Sequence, residues 1–196
     1  MKILKRDRLL LLLIMTCLSH PVMAGWILNQ DSSQINFISV KKNTVGEVHV
    51  LTGLTGSVDD NGQVSLTINL NSVETQIPVR NERLKKLFFE TDIYPVATAV
   101  TTLDLTEINA LTLGQLISQE LTINLQLHGV QIALPVSVQV SAMSDHALWV
   151  TLTEPVVLNI EDYALSDGLK TLMTLAKLPS ISTVVPVTAR LLFEAE

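Results

Sequence analysis

Cysteine is almost absent from this 196-residue chain, and its single copy, Cys17, lies in the N-terminal segment. A mature protein that begins after residue 24 would contain no disulfide, no thiol nucleophile and no cysteine-based metal site. Its stability must come from an apolar core, and a chain of this length can bury one as a single domain. We expect residues 25–196 to form that domain, because no linker, low-complexity tract or internal repeat divides them.

Basic residues are also scarce. After residue 24 there are nine Lys and Arg against eighteen Asp and Glu, which gives a net charge of −9. Judged by this total charge, nucleic acid and anionic lipid surfaces are poor electrostatic partners for the protein.

Motifs that carry chemistry are absent as well. The sequence contains no Gly-x-Ser-x-Gly elbow, no phosphate-binding loop and no dinucleotide fingerprint. No pair of histidines has the spacing of a metal site, and strand parity predicts that His49 and His128 point to water, while His146 lies in a turn. We therefore expect neither an enzyme nor a metal site.

The N-terminus has the pattern of a secretory signal. A basic head precedes an apolar run from Leu9 to Leu18, and Val22-Met23-Ala24 suits signal peptidase. The run is too short for a stable membrane-spanning helix, so a permanent anchor is not expected. Cys17 raises a lipoprotein alternative, although the residue before it, Thr16, is not the small residue that lipidation favours. We expect cleavage near Ala24 and a periplasmic or secreted protein.

The main pattern that the sequence does contain is an alternation of apolar and polar residues with period two. Apolar and small polar residues alternate from Leu121 to Val140 around a turn at His128-Gly129, which predicts a hairpin with one apolar face. That face carries Leu121, Ile123, Leu125, Leu127, Val130, Ile132, Leu134, Val136, Val138 and Val140.

The same alternation recurs along most of the chain. It assigns Val48 and Val50 to an apolar face, continues from Ala97 to Leu105, and ends in a last strand with Arg190 outside. Asp59-Asp60-Asn61-Gly62 is a tight hairpin signal, because Asn and Gly tolerate positive φ. The fold class is therefore mainly β, an antiparallel closed barrel of about eight strands, a size that can hold one small ligand.

Two segments have helical spacing instead. One begins near Pro78, and its apolar side includes Leu84, Leu87 and Phe88. The other carries Leu169, Leu172, Met173 and Ala176, with Ser166 or Asp167 as its cap and Pro179 as its stop.

Arg80 falls in the middle of the apolar side of the first helix. A guanidinium there needs a carboxylate, a backbone carbonyl or a ligand head group, because an unpaired buried charge is costly. Tethering a loop carbonyl and recognising a polar head group are both open, and Arg83 at the edge of the stripe could assist either role.

Small residues interrupt the large apolar side chains of the inner face. Ser39, Ala97, Ala99 and Thr101 could leave a channel or could accommodate neighbouring aromatic rings. The sequence leaves both arrangements open.

A series of short motifs resembles the YceI-like family of secreted, lipocalin-like barrels. In chain order they are Trp26-Ile-Leu, Ser33-Gln-Ile-Asn-Phe37, Leu54-Thr-Gly56, Ser72-Val-Glu-Thr75, Arg80-Asn-Glu-Arg-Leu84, Leu87-Phe-Phe-Glu90, Tyr94-Pro-Val-Ala97, Leu121-Thr-Ile and His128-Gly-Val130. The resemblance implies an elongated apolar tunnel that binds a long polyisoprenoid or quinone-type lipid.

The resemblance and the residues together predict a lipid-binding barrel without catalytic activity. Its partner is an apolar long-chain lipid, no other cofactor is expected, and the oligomeric state is left open, a homodimer included. The alternative is a structural or partner-binding barrel that fills its own interior. The predicted ligand-binding residues are Phe37, Leu84, Phe88, Phe89 and Met173 for the tail, Ala99 for the channel, and Arg80 and Tyr94 for the head group.

Overall fold

The structure, a computed structural model, describes residues 25–144 and 146–196. The predicted signal segment and Cys17 lie outside these residues. Within the described residues, no helix is long and apolar enough to cross a bilayer. The strands found there are β1 (Trp26–Leu28), β2 (Gln34–Lys41), β3 (Val45–Leu51), β4 (Leu54–Val58), β5 (Gln63–Asn69), β6 (Val73–Glu74), β7 (Val96–Thr102), β8 (Leu116–Leu127), β9 (Val130–Ser144), β10 (Ala147–Leu152), β11 (Val156–Asn159) and β12 (Val184–Ala195).

These strands close into an antiparallel barrel. Three pairs of strands run end to end along the wall, and each pair serves as one barrel strand. These pairs are β1 with β2, β3 with β4, and β10 with β11. Every barrel strand pairs with its sequence neighbours, and β12 closes the ring by pairing with β10 and β11 on one side and with β1 and β2 on the other. The predicted closed barrel of about eight strands is confirmed.

Both predicted hairpins are present. Leu127 pairs with Val130 across His128 and Gly129, whose φ values of 51° and 79° are the positive values that a two-residue hairpin turn needs. In the other turn, Asp59 Oδ1 accepts hydrogen bonds from the backbone N–H groups of Asn61 and Gln63, both at 2.9 Å.

The alternation of strand direction gives the barrel two distinct ends. One end, which we call the acidic end, carries the connections 59–62 and 103–115 together with the first and last described residues, where the Glu196 N–H donates to the Gly25 carbonyl at 2.9 Å. The opposite end, the helical end, carries the connections 42–44, 70–95, 128–129 and 160–183.

Two helical segments pack together at the helical end. Helix α1 (Pro78–Arg83) runs into a π-helical turn (Leu84–Phe88), in which the Phe89 N–H donates to the Leu84 carbonyl. Helix α3 (Ser166–Ala176) packs on this turn at Gly168, where a Cβ would lie only 2.5 Å from the Leu87 carbonyl oxygen. Both predicted helices are confirmed.

Two details of the predicted elements are wrong. Neither Ser166 nor Asp167 caps α3, because both lie inside the helix; Leu165 is the cap residue and supplies no side-chain bond. The strand predicted to reach Leu105 ends at Thr102, and Leu105 begins the short helix α2 (Leu105–Asn109), which the Asp104 side chain caps.

The predicted faces of β3 are also wrong. The register pairs Ile35 with Leu51 and Phe37 with His49, and residues that face each other across a ladder share a side of the sheet. His49 is therefore buried, and Val48 is exposed. The alternation of β3 alone suits either face. Its inner face is determined by the pairing with β2, whose Ile35 and Phe37 line the interior.

Candidate functional site: an apolar cavity with a polar mouth

The barrel encloses a cavity of about 580 Å³ that is lined almost entirely by apolar side chains. Its wall includes every residue of the predicted apolar face of the β8–β9 hairpin from Leu121 to Leu127 and from Leu134 to Val140. The polar residues on the wall are Ser39, Lys41, Glu47, His49, Arg80, Arg83, Thr101 and Ser182. All except Thr101 come from the helical end of the barrel or the strands that lead to it.

Six of the eight predicted ligand-binding residues lie on this wall. They are Phe37, Arg80, Leu84, Phe88, Phe89 and Ala99. The small residues Ser39, Ala97 and Thr101 lie there too, as expected of positions that leave room for a channel. Their part in binding a ligand stays a prediction.

Tyr94 and Met173 are not on the cavity wall. The Tyr94 ring packs on His128 with 4.3 Å between ring centroids and covers Gly129 at the β8–β9 turn. His128 is half-buried there and its Nε2 lies 2.8 Å from Glu90 Oε2, so it does not point freely to water as predicted. Met173 packs on the core beside Leu169, Leu172 and Ala176, which do reach the cavity.

The cavity opens at the helical end. A side chain that borders the cavity and is also exposed to solvent marks an opening, and Ile77, Val79 and Ala176 meet both conditions. We call the segments that supply them and their neighbours, residues 41–47, 77–88 and 172–182, the mouth. The tip of the β2–β3 hairpin belongs to it because the Lys42 N–H donates to the Ser180 carbonyl at 3.0 Å.

Arg80 joins two sides of the mouth. Its Nη2 donates to the Thr75 carbonyl at 2.7 Å, and its Nη1 donates to Glu47 Oε2 at 2.8 Å. Lys41 Nζ lies 2.8 Å from the same carboxylate oxygen. The guanidinium is thus a tether between α1 and β3, and it also borders the cavity, so the two roles left open for it by the sequence are compatible.

Glu47 is the anion at the centre of this cluster. The hydrogen bond from Lys41, together with the positive charge of Arg80, lowers the pKa of the Glu47 carboxyl. It therefore stays ionised at neutral pH and neutralises part of the positive charge. Arg83, half-buried on the same wall, forms no ion pair with another described residue.

His49 is the residue of the site that sequence reasoning missed. It is buried, its Nε2 shares a 2.8 Å hydrogen bond with Ser39 Oγ, and its ring lies 5.1 Å from the Phe37 ring. Burial, with the nearby Arg80 charge, lowers the pKa of His49 and keeps the imidazole neutral. Only the register of β3 against β2, which pairs His49 with Phe37, could have indicated that His49 lies inside the barrel.

The lowered pKa of His49 predicts a loss of stability in acid. The unfolded chain takes up a proton on this histidine near its ordinary pKa of about 6.5. The folded protein resists protonation because burial disfavours the charged ring and because the charges of Arg80 and Lys41 oppose it, which Glu47 offsets only in part. The contribution of the neutral His49 to the free energy of unfolding is therefore fully present above that pH and is lost as the pH falls below it. In urea titrations we expect the free energy of unfolding to fall less steeply with acid in His49→Gln than in the unmodified protein.

The exposed His146 provides the control for this measurement. His146→Gln should retain the steeper dependence on pH, because its side chain lies in a solvent-exposed turn. Equal slopes for the unmodified protein and His49→Gln would contradict the assignment.

The cavity and barrel have known counterparts. The model of the YceI-like domain matches residues 26–193. A polyisoprenoid-binding domain from Saccharophagus degradans, implicated in plant cell wall breakdown, has 37% sequence identity and a TM-score of 0.85, with 87% of this chain and 98% of that chain covered. BcnA from Burkholderia cenocepacia has the same fold, with 16% identity, a TM-score of 0.65, and coverage of 84% of this chain and 98% of that one.

No curated protein matched the chain. The domain match spans almost all described residues, and the Saccharophagus domain agrees with it in both sequence and structure. The chain belongs to the YceI-like family.

Proposed function

We propose that this protein binds one long isoprenoid-type lipid, a polyisoprenoid or a quinone, in its barrel cavity and sequesters or carries it without catalysing a reaction. The observation that carries the proposal is the cavity of about 580 Å³ with apolar walls and polar side chains gathered near one opening. This volume lies within the range of about 300–1,000 Å³ that is usual for small-molecule sites. An open cavity favours a ligand over the alternative of a barrel that fills its own interior.

The driving force for binding is the removal of the lipid tail from water. Each Å² of apolar surface buried contributes about 25 cal/mol, so a tail along Phe37, Leu84, Phe88 and Phe89 needs no strong polar contact. The polar groups of the mouth would then set the direction in which the lipid enters. Arg83, without an ion-pair partner among the described residues, is the side chain best placed to meet a polar head group.

The Ser39–His49 pair supports a structural role better than a catalytic one. In a hydrolytic triad an acidic group accepts a hydrogen bond from the second imidazole nitrogen and orients the ring. Here His49 Nδ1 is buried and has no hydrogen-bond partner among residues 25–144 and 146–196, and the nearby Glu47 carboxylate is held by Lys41 and Arg80. We propose a binding protein and not an enzyme for this reason.

The likeness to the polyisoprenoid-binding domain of Saccharophagus supports the class of ligand. A location in the periplasm or outside the cell is supported by the basic head, the apolar run and the Val22-Met23-Ala24 sequence of the N-terminal segment. Such a location would place the protein beside the membranes from which an isoprenoid lipid comes.

Mass spectrometry of the exported protein under native conditions tests both the removal of the N-terminal segment and the binding of a lipid. We expect a polypeptide that begins at Gly25 and carries one lipid molecule, and solvent extraction should release lipids whose masses differ by whole isoprene units. A lipid-modified Cys17 would contradict the proposed processing.

A titration of lipid-free protein with a quinone completes the test. Of the two tryptophans, Trp26 lies on the cavity wall, whereas Trp149 packs under Arg190, whose Cζ is 5.1 Å from the ring centroid. In Trp149→Phe the remaining Trp26 fluorescence should be quenched to saturation at one quinone per protein. Absence of both co-purified lipid and saturable quenching would overturn the function.

A further inference from the structure

The rim of the mouth exposes apolar side chains where the cavity meets solvent. The side chains of Val79 and Ile77 border the cavity and are 57% and 42% exposed. Leu175, which belongs to the α3 part of the mouth, is also exposed. A lipid that enters or leaves the cavity here passes directly over these side chains.

The positive charge of the protein is concentrated in the same segments. The mouth contains seven Lys and Arg and only two acidic residues, whereas the rest of residues 25–196 contains two basic and sixteen acidic residues. Lys42, Lys86 and Lys177 are exposed. The rest of the connections 70–95 and 160–183 at the same end carries six acidic residues and Lys170, so the excess of positive charge belongs to the mouth segments and not to the whole helical end. Because the Debye length at ordinary salt is about 10 Å, a surface in contact with the mouth interacts most strongly with the charges of these segments.

The acidic end of the barrel also exposes apolar residues, but there they are not accompanied by positive charge. Leu113 and Leu116 are 70% and 55% exposed there. The segments 59–62, 103–115 and 194–196 at this end carry six acidic residues and no Lys or Arg. Within the part of the chain that the structure describes, only the mouth combines apolar exposure, positive charge and access to the cavity.

We propose that the mouth docks on a membrane surface that contains anionic lipids. Ile77 and Val79 would enter the interface, and the surrounding lysines and Arg83 would lie against the lipid phosphates. For this one face, the proposal departs from the expectation from net charge that anionic lipid surfaces are poor partners. The inference rests on the proposed function for its purpose, because docking lets a lipid move between bilayer and cavity without crossing water.

Binding to vesicles tests the docking surface. The exported protein is mixed with vesicles of phosphatidylcholine, or of phosphatidylcholine with phosphatidylglycerol, and bound protein is measured after flotation. We expect binding to the anionic vesicles only, and a loss of binding as salt is raised. Ile77→Ser/Val79→Ser should weaken the binding about tenfold, because two apolar side chains no longer leave water.

Leu113→Ser/Leu116→Ser is the matched control, since it removes comparably exposed side chains from the acidic end. It should bind vesicles as the unmodified protein does. Failure to bind anionic vesicles, equal binding to neutral ones, or equal effects of the two double variants would overturn the proposal. A mouth variant that changes only the oligomeric state in light scattering would assign the rim to a second copy and would also overturn it.

Cargo is measured separately in every variant by extraction and weighing of the co-purified lipid. Loss of vesicle binding with retained cargo supports docking, because both double variants keep every strand residue that lines the barrel interior, and Ile77 and Val79 border the cavity only at its exposed rim. Cargo without any vesicle binding overturns docking alone and leaves the proposed function standing.

Discussion

Ala99→Phe is expected to abolish the co-purification of lipid while the barrel stays folded. Ala99 faces Leu66 and Leu125 in the register of β7 with its neighbours, and all three border the cavity. A phenylalanine ring there would occupy the middle of the channel. Because the ring enters empty space, the change should avoid the about 1–3 kcal/mol that overpacking costs in a filled core.

Val100→Phe provides the comparison for this prediction. Val100 lies on the same strand, is paired with Ser65 and Asn124, and does not border the cavity. It should retain its lipid and bind quinone, as measured by quenching of Trp26. If Ala99→Phe lowered the melting temperature strongly and kept its lipid, the channel would not pass this residue.

The β8–β9 hairpin shows which part of the fold could be predicted from sequence. Its alternation runs unbroken on both sides of His128-Gly129, and a shift by one residue would turn all the apolar side chains toward solvent. The register was therefore determined locally. The observed pairing of Leu127 with Val130 is the one that the alternation predicts.

β3 shows why other parts could not be predicted. Val48 and Val50 alternate with Glu47, His49 and Leu51, so either face could be the inner one by local pattern alone. The choice depends on the pairing of Phe37 with His49 in a hairpin whose turn, residues 42–44, contains none of the Asn-Gly or Asp-Gly pairs that would have indicated the register. The same error hid the polar cluster of the site, since Glu47 and His49 share the inner face.

The apolar part of the site was more predictable than its polar part. Leu84, Phe88 and Ala99 could be assigned to the interior because a helix stripe or a strand face defines their direction. Tyr94 follows a loop residue with positive φ, Glu90, and its direction depends on packing against His128. Arg80 could be recognised as unusual from the sequence, but its partners could not, because Glu47 lies on a distant strand.

Arg80→Met is expected to lower the free energy of unfolding by about 1–3 kcal/mol, the usual cost of leaving partly buried polar groups without partners. The change removes the donors to the Thr75 carbonyl and to Glu47, and it breaks the link between α1 and β3. Lys41 continues to neutralise Glu47, so the loss stays well below that of an isolated buried charge. Denaturant midpoints of lipid-free protein measure this effect.

Arg83→Met separates the tether from a role in head-group binding. Arg83 also borders the cavity but forms no ion pair with a described residue, so its replacement should change the free energy of unfolding by less than about 0.5 kcal/mol. If the mouth binds a polar head group, both variants should weaken quinone binding in the Trp26 assay, and Arg83→Met should do so without loss of stability. Unchanged affinity in both, with stability lost only in Arg80→Met, would leave Arg80 a tether and remove the head-group role from the mouth.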